Sequence, residues 1–497
     1  YALVAATGGA LSDSIRLYLT PLNVASVLVP LASAATFPKI LVRVNCRRAI
    51  VWGLLPAIAA MASGPLALRR VSTRGLHRNA VAAIALTTWA RRAGGQAANA
   101  DWYAVPLPIE GAANPLVRLR GSAAGHNVIW VILESTGARY LRLYGAERDA
   151  TPHLTALGAR GVVFDNVYAA YPESIKGLYS ILCAAYPGPG TSPEQYVESV
   201  LPGACIAERF QAAGYRTGLF HSGRFAYLGM SSVIANRGFE RLEDAATIGG
   251  QYASSFGTDD ASTARRVLSF IDDAGGAPFL AFYMPISGHH PYQAPGNGPR
   301  PFAEADDRDR YLNDLYAGDD AFGALVDGVR ARGLLGKTTW IVNGDHGEAF
   351  AQHEGNFAHS LYVYEENVHV PFIVVVPGVT DSGERAPQLG SLIDAAPTLL
   401  DLVGLPIPER YHGRSLIGLP PMVARFFTDY TSLFLGMRHG NWKFIYDVEA
   451  GRPALFDLSR DPAEEHDLSD RFPERVSLYE GHLKAWSSAQ RARITAR

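Results

Sequence analysis

The stretch Asn343-Gly344-Asp345-His346-Gly347-Glu348 follows the apolar run Thr339-Trp340-Ile341-Val342. A strand that ends in Asp-His places a carboxylate and an imidazole at the carboxyl edge of a sheet, where open α/β sheets bind their ligands. Asp oxygen and His nitrogen suit a zinc- or manganese-like ion. Taken alone, such a motif is more often an ordinary strand-end turn. A second apolar run, Asn127-Val128-Ile129-Trp130-Val131-Ile132-Leu133, leads into Glu134-Ser135-Thr136. Two buried-type strands, far apart in sequence, thus each deliver a hard oxygen ligand where they end.

Other segments carry further chemistry. Tyr171-Pro172-Glu173-Ser174-Ile175-Lys176-Gly177 stands just before a predicted helix. A hydroxyl at a helix N-terminus meets the positive end of the helix dipole and free backbone N–H groups, which favour an anion or a developing alkoxide. The plainer reading makes Ser174 an N-cap. Ser287-Gly288-His289-His290-Pro291-Tyr292 follows another apolar run, and its paired histidines are candidate metal ligands, general acids or loop surface. His353 and His359 cluster behind the Asp-His motif, and His221 ends the run Tyr215–Phe220. Any one of these is more often structural. Together they put a nucleophile candidate, a carboxylate, an Asp-His pair and several imidazoles at successive strand ends, the convergence expected of an active site.

The elements that must position these groups alternate from about Gly125 onward. Strands are predicted at Asn127–Leu133, Val162–Phe164, Tyr215–Phe220, Phe279–Met284, Thr339–Val342 and Phe372–Val376. Helices are predicted at Pro152–Gly161, Gly177–Cys183, Ile206–Ala213, Thr263–Asp273, Arg310–Arg332 and Ile393–Val403. Such alternation argues for an α/β fold with a mainly parallel sheet sandwiched by helices. After about Pro421, Trp442–Tyr446 and Ala454–Leu458 read as a hairpin-like pair, followed by a helix near Pro473–Ala489, a small C-terminal α+β subdomain.

At 497 residues the chain exceeds one typical domain. Its formal net charge of -2 gives no sign of a nucleic-acid partner. Cys46, Cys183 and Cys205 have neither zinc-ligand spacing nor scaffold density. A Cys183–Cys205 bridge outside the cytoplasm and two buried free thiols both fit. The chain starts with Tyr1 inside an apolar run, which reads as a start truncated from a longer sequence. Leu17–Pro38 and Ala49–Leu68 contain no charged residue and approach the ~20 residues that span a bilayer. A buried helical pair is the competing reading. Arginine clusters bracket the second run, so one span cannot keep both in the cytoplasm. The expected organisation is a helical membrane region at 1–95, a linker at 96–125, a catalytic domain at 126–420 and the C-terminal subdomain at 421–497.

From about Asn127 onward the chain resembles the sulfatase branch of the alkaline-phosphatase superfamily. The resemblance rests on Asn127–Thr136, Ser174–Pro187, Ser287–Tyr292, Asn343–Gly355 and Tyr364–Pro371. Gly413–Leu416, Asn441-Trp442-Lys443 and Leu455–Leu458 with Asp461-Pro462 extend it through the tail. It implies an alkaline-phosphatase-like sheet with a metal at its carboxyl edge. Sulfatases make formylglycine from Cys or Ser in a motif with Pro or Ala two residues on and Arg four residues on. Here Lys176 and Leu178 follow Ser174 at those places, so Ser174 is expected to stay serine. Where typical sulfatases end the first strand in two Asp residues, this chain has Glu134-Ser135, as lipoteichoic-acid-synthase-like members do. Those members imply one divalent ion held by Glu134, Ser174, Asp345 and His346. Manganese or zinc is the expected metal, with magnesium or calcium as alternatives. Leu219–Gly223 is similar to their substrate-binding His segment, and His359 stands where phosphoethanolamine transferases carry a His.

The implied chemistry is attack by the Ser174 alkoxide on phosphorus or sulfur, giving a covalent ester. His289 and His359 then stabilise oxygens or protonate the leaving group, with His221 and Lys176 as further substrate contacts and His353 bracing the loop. An alkoxide suits phosphoryl transfer, whereas sulfate turnover in this family relies on a formylglycine hydrate. The first expectation is therefore a metal-dependent phosphoryl-ester transferase or hydrolase acting on envelope lipid head groups or glycans. It would sit at the inner cell membrane, with its catalytic domain facing the periplasm or exterior. The alternatives are an extracytoplasmic sulfatase and, from another class, a non-catalytic membrane scaffold.

Overall fold

In the computed structural model, the described residues are 19–41, 107, 115–197, 204–418 and 423–495. The chain divides into two compact units, Tyr1–Gly95 and Gln96–Arg497. In the first, helix α1 (Pro21–Leu41) runs for 21 residues. The expectation that Leu17–Pro38 crosses a membrane gains no support: among the described residues, no helix is long and apolar enough to do so. Length is not what α1 lacks. Ser26, Ser33 and Thr36 turn their hydroxyls back onto helix carbonyls, and such small polar residues dilute its apolar character. Ala49–Leu68 and its flanking arginines lie outside the described residues.

The second unit is built on an eight-stranded sheet. Its strands are β1 (Asn127–Leu133), β2 (Val162–Tyr168), β3 (Arg216–His221), β4 (Arg241–Glu243), β5 (Phe279–Met284), β6 (Thr338–Gly344), β9 (His369–Val375) and β10 (Glu384–Ser391), while β7 (Ala349–Phe350) and β8 (Phe357–Ala358) form a separate ribbon. The order is β10-β2-β9-β6-β1-β5-β3-β4. β9 pairs antiparallel with both neighbours, and the remaining pairs are parallel.

Alternation along β1 decides how the layers form, because successive side chains point to opposite faces. Val128, Trp130 and Ile132 enter one core, with residues of α3 (Ser174–Cys183), α4 (Ile206–Ala212) and α7 (Ala395–Val403). Ile129 and Val131 enter the other, with α2 (Pro152–Gly158), α5 (Asp260–Asp273) and α6 (Asp307–Ala331). Burial on both faces explains why β1 and β5 read as unbroken apolar runs. Within the stretch read as a linker, Leu116, Leu119 and Ala123 are buried, and the amides of Gly121 and Ala123 bond to carbonyls of α7. This part of the segment is therefore core. Cys183, closing α3, is disulfide-bonded to Cys205 at the start of α4.

The C-terminal part is an antiparallel sheet, β11 (Val423–Thr428), β12 (Phe434–His439), β13 (Trp442–Asp447) and β14 (Arg452–Asp457). Tyr479, Leu483 and Trp486 of α8 (Pro473–Thr495) pack against it. The predicted hairpin is thus half of a four-stranded sheet.

One buried carboxyl gives a signed stability prediction. Asp314 on α6 accepts the Gly288 amide at 2.8 Å, and burial pushes its pKa up to about 7. The unfolded value is about 3.9, so between these values the folded state binds the extra proton. The contribution of Asp314 is present in full below the unfolded pKa and is lost as pH rises through about 7. Asp314→Asn keeps an acceptor for Gly288 without the titration. Its urea stability relative to the natural chain should rise between pH 4 and pH 7 by up to about 1.4 kcal/mol per pH unit. A pH-independent difference would show that the carboxyl is not raised.

Candidate active site

The register of the central strands builds the site. Leu133 of β1 lies opposite Gly344 of β6, so the residues that follow, Glu134 and Asp345, emerge side by side. The Asp345 amide donates to the Leu133 carbonyl at 3.0 Å. Gly344 permits the approach, since a Cβ there would stand 2.1 Å from the Thr136 carbonyl oxygen. Beyond Glu134 the chain turns sharply, with Ser135 in the left-handed region at φ 51°, a conformation costly for a non-glycine residue. The turn aims the Ser135 amide at Asp345 Oδ1, 3.0 Å away. The next strands, β5 and β3, end near His289 and His221. Gly288 lies so close to β1 that a Cβ would meet the Glu134 carbonyl oxygen at 2.6 Å.

Ser174 is the first residue of α3, and its N-cap is Glu173, whose carboxylate accepts the amides of Ile175 and Lys176. The Ser174 hydroxyl has no capping duty. It donates to Glu134 Oε2 at 2.9 Å and lies 3.3 Å from His346 Nε2. His346 Nε2 is in turn 3.6 Å from Glu134 Oε1 and 3.4 Å from Asp345 Oδ2. Ligand-type atoms of Glu134, Asp345 and His346 all lie within 4.8 Å of one another.

Electrostatics says what this cluster fits. Burial pushes the Asp345 carboxyl well up, and the adjacent Glu134 pushes it further. Burial also works against a charged Glu134, but His289, His346 and His359 outweigh it and hold this carboxyl low, at about 2. The two neighbouring carboxylates are thus pushed in opposite directions, Asp345 toward the protonated form and Glu134 toward the ionised one. Burial, with the nearby His359, pushes His346 down to about 4, so it is the neutral imidazole that ligates metals. Two hard oxygens, a hydroxyl and a neutral imidazole fit a divalent cation, whose charge would let both carboxylates ionise.

Above the cluster lies an open cleft with Glu134, Ser174, His221, Arg224, His289 and His359 in its lining. Phe256 packs on His289 with ring centroids 4.3 Å apart. Tyr227 and Tyr430 complete the rim. His359 Nδ1 is bonded to Glu348 Oε2 at 2.7 Å. Glu348, left without a role in the sequence reading, is fully buried and also accepts the Tyr292 hydroxyl. Its signal was its place two residues after His346. His221 holds the Met284 carbonyl through Nδ1 at 3.2 Å. His353 lies apart, bonded to Glu366 at 2.7 Å and stacked on Tyr364.

Lys176 is not brought to the cleft. Its ammonium pairs with Asp429 Oδ1 at 2.8 Å and lies over the Tyr171 ring at 4.7 Å. The reason for this placement is helical. Two residues are about 200° of turn, so Lys176 leaves α3 on the side opposite Ser174.

Comparison with known proteins agrees with this geometry. A family model described as sulfatase matches residues 126–405. A second, described as N-sulphoglucosamine sulphohydrolase, C-terminal, matches residues 354–480. Arylsulfatase K of Bos taurus is 31% identical over 186 residues, 34% of this chain and 34% of that protein. Arylsulfatase K of Rattus norvegicus is 33% identical over 187 residues, 34% of this chain and 32% of that protein. The chain spans about a third of the length of the curated relatives it matches. Among solved structures, the lipoteichoic acid synthase LtaP from Listeria monocytogenes has a TM-score of 0.57 at 16% identity, covering 75% of this chain and 94% of that one. BT4656, solved with D-glucosamine-2-N,6-O-disulfate, has a TM-score of 0.59 at 15% identity, covering 74% of this chain and 98% of that one. A protein in the alkaline phosphatase superfamily from Vibrio parahaemolyticus reaches 0.59 at 19% identity, covering 80% of this chain and 96% of that one. These structural likenesses show the shared fold, while the names of the sequence relatives favour the sulfatase alternative over phosphoryl transfer, the first expectation. Because the family model covers more than half of its length, the chain belongs to the sulfatase family.

Proposed function

We propose that this chain is a divalent-metal-dependent hydrolase of sulfo- or phospho-esters that works through Ser174. The observation that carries the reading is the Ser174 hydroxyl, 2.9 Å from Glu134 and 3.3 Å from His346, on the wall of a cleft that His289 and His359 also line. A metal bound by Glu134, Ser174, Asp345 and His346 would supply the positive charge that lowers the pKa of the hydroxyl. Ser174 gives up its hydroxyl proton to water and its Oγ attacks the sulfur or phosphorus in line. The bond to the leaving oxygen breaks, and that alkoxide takes up a proton from water and departs as the alcohol. A second water then attacks the sulfur or phosphorus, releasing sulfate or phosphate and restoring the Ser174 hydroxyl. Burial pushes His359 down to about 4 and Glu348 up to about 7. When Glu348 holds the proton of their hydrogen bond, His359 carries an N–H on Nε2 that can serve as an oxyanion donor.

The sulfatase names of the relatives support a sulfuric ester as substrate. A second reading, phosphoryl transfer to water or an alcohol, rests on Lys176 and Leu178 standing where a formylglycine signal has other residues. Matched aryl sulfate, aryl phosphate and phosphodiester substrates, with manganese or zinc, test both. Turnover of the sulfate alone supports the first reading, turnover of a phosphate alone supports the second, and turnover of none sinks both. The Cys183–Cys205 bridge supports a catalytic unit outside the cytoplasm, because disulfides persist in oxidising compartments.

His289→Ala and His359→Ala should each lower kcat by about 10²-fold to 10³-fold, as loss of an oxyanion donor does, with manganese affinity little changed in calorimetry. His346, Glu348 and His359 also bring ligand-type atoms within 4.8 Å of one another. Lost manganese affinity with unchanged turnover would make His359 a ligand instead.

A further inference from the structure

We propose that Lys176 and Asp429 form a buried positioning pair through which the C-terminal sheet sets the orientation of Ser174. The inference rests on the assignment of Ser174 as nucleophile. Asp429 follows β11, and both of its carboxylate oxygens are engaged. Oδ1 accepts the Lys176 ammonium at 2.8 Å and the Tyr171 hydroxyl at 2.7 Å. Oδ2 accepts the Gly190 amide at 2.5 Å. Tyr171 and Lys176 flank Ser174 on either side, so a single carboxylate grips the nucleophile turn at both ends. The ammonium is further enclosed by the Tyr171 and Phe427 rings, at 4.7 and 6.0 Å. The lysine and aspartate side chains keep only 10% and 13% of their exposure.

The same strand end also reaches the lining of the cleft. The Thr428 hydroxyl donates to the Ser360 carbonyl at 2.5 Å, beside His359, and Tyr430 lies on the rim. Three consecutive residues thus tie together the nucleophile turn, the His359 loop and the cleft wall. A buried ion pair is weak evidence for stability, because desolvation offsets the Coulomb attraction. Its placement two residues from the nucleophile, gripping that turn and no other part of α3, points to geometry as its role. A misplacement of about 1 Å at a reacting atom can lower a rate by about 10²-fold.

The test is the double variant Lys176→Met/Asp429→Asn, which removes both charges together and leaves no uncompensated buried ion. Two readouts are taken: kcat and KM with an ester that the natural chain turns over, and hydrogen exchange of the Ile175 and Lys176 amides. The expected result is a kcat lower by about 10-fold to 100-fold, a KM within about threefold, faster exchange at those two amides and an unchanged thermal midpoint. Lys176→Arg, which keeps the charge, should retain most of the rate. A folded double variant with natural kcat and natural exchange would overturn the proposal. If the double variant does not fold, Tyr171→Phe decides: it removes one grip on Asp429 without touching charge and should lower kcat at constant KM. An unchanged kcat there overturns the pair's role. The exchange readout needs no substrate, so a natural chain that turns over none of the esters refutes the proposed activity and leaves the positioning pair to be judged on exchange.

Discussion

Ser174→Ala is expected to abolish turnover, by at least about 10³-fold, and to leave the fold and its melting temperature essentially unchanged. The asymmetry follows from the local structure. The cap of α3 is the Glu173 side chain, which accepts the Ile175 and Lys176 amides, so deletion of the Ser174 hydroxyl opens no helix end. The bonds it loses run to Glu134 and His346, both of the candidate centre. Removal of a nucleophile that acts as a unit with its surroundings costs nearly the whole covalent route. Steady-state rates alongside a circular-dichroism melt check this. A near-natural rate in a folded variant would sink the covalent mechanism, and a formylglycine mass at position 174 would replace the serine alkoxide with the usual sulfatase nucleophile.

Much of this centre was legible because it hangs on strands that bury both faces. β1 and β5 were read to the residue, since an unbroken apolar run bounded by polar turns leaves little choice of ends. Placing Glu134, Asp345, His289 and His221 at strand ends also followed from the sequence. That β6, β1, β5 and β3 are consecutive neighbours did not, because strand order is set by crossover packing and not by local pattern. The antiparallel direction of β9 was hidden for the same reason. β10 escaped because it is a polar edge strand, partly exposed and interrupted by Pro387, which has neither the alternation nor the apolar density of a buried one. β11 and β12 were passed over, and with them Asp429, a single carboxylate after a short strand, whose importance lies wholly in what it reaches across the fold. Lys176 shows the same limit from the other side, since its pairing with Asp429 is set by the fold. A cation two residues from a nucleophile looks like a substrate contact until the helical rotation is counted.

The other large expected effect is a trade between stability and metal binding at Asp345. In the metal-free protein, Asp345→Asn should raise the thermal midpoint by a few degrees, because two carboxylates buried beside each other are expensive without a cation. The amide can still accept the Ser135 and His346 amides that now bond to Oδ1 at 3.0 and 2.7 Å. In the natural chain, added manganese or zinc should stabilise the folded state by about 4 kcal/mol at a thousandfold excess over the dissociation constant. In Asp345→Asn that metal-induced shift should vanish along with turnover. Glu134→Gln should behave alike, whereas Ser174→Ala should keep part of the shift, since it removes a neutral donor and no charge. The ranking separates a metal centre from a merely buried acidic pair. If neither ion shifts the melting of the natural chain, the cluster of Glu134, Asp345 and His346 does not hold a cation. If the shift survives intact in Asp345→Asn, the ion binds elsewhere, and the neighbouring group of His346, Glu348 and His359 is the place to look.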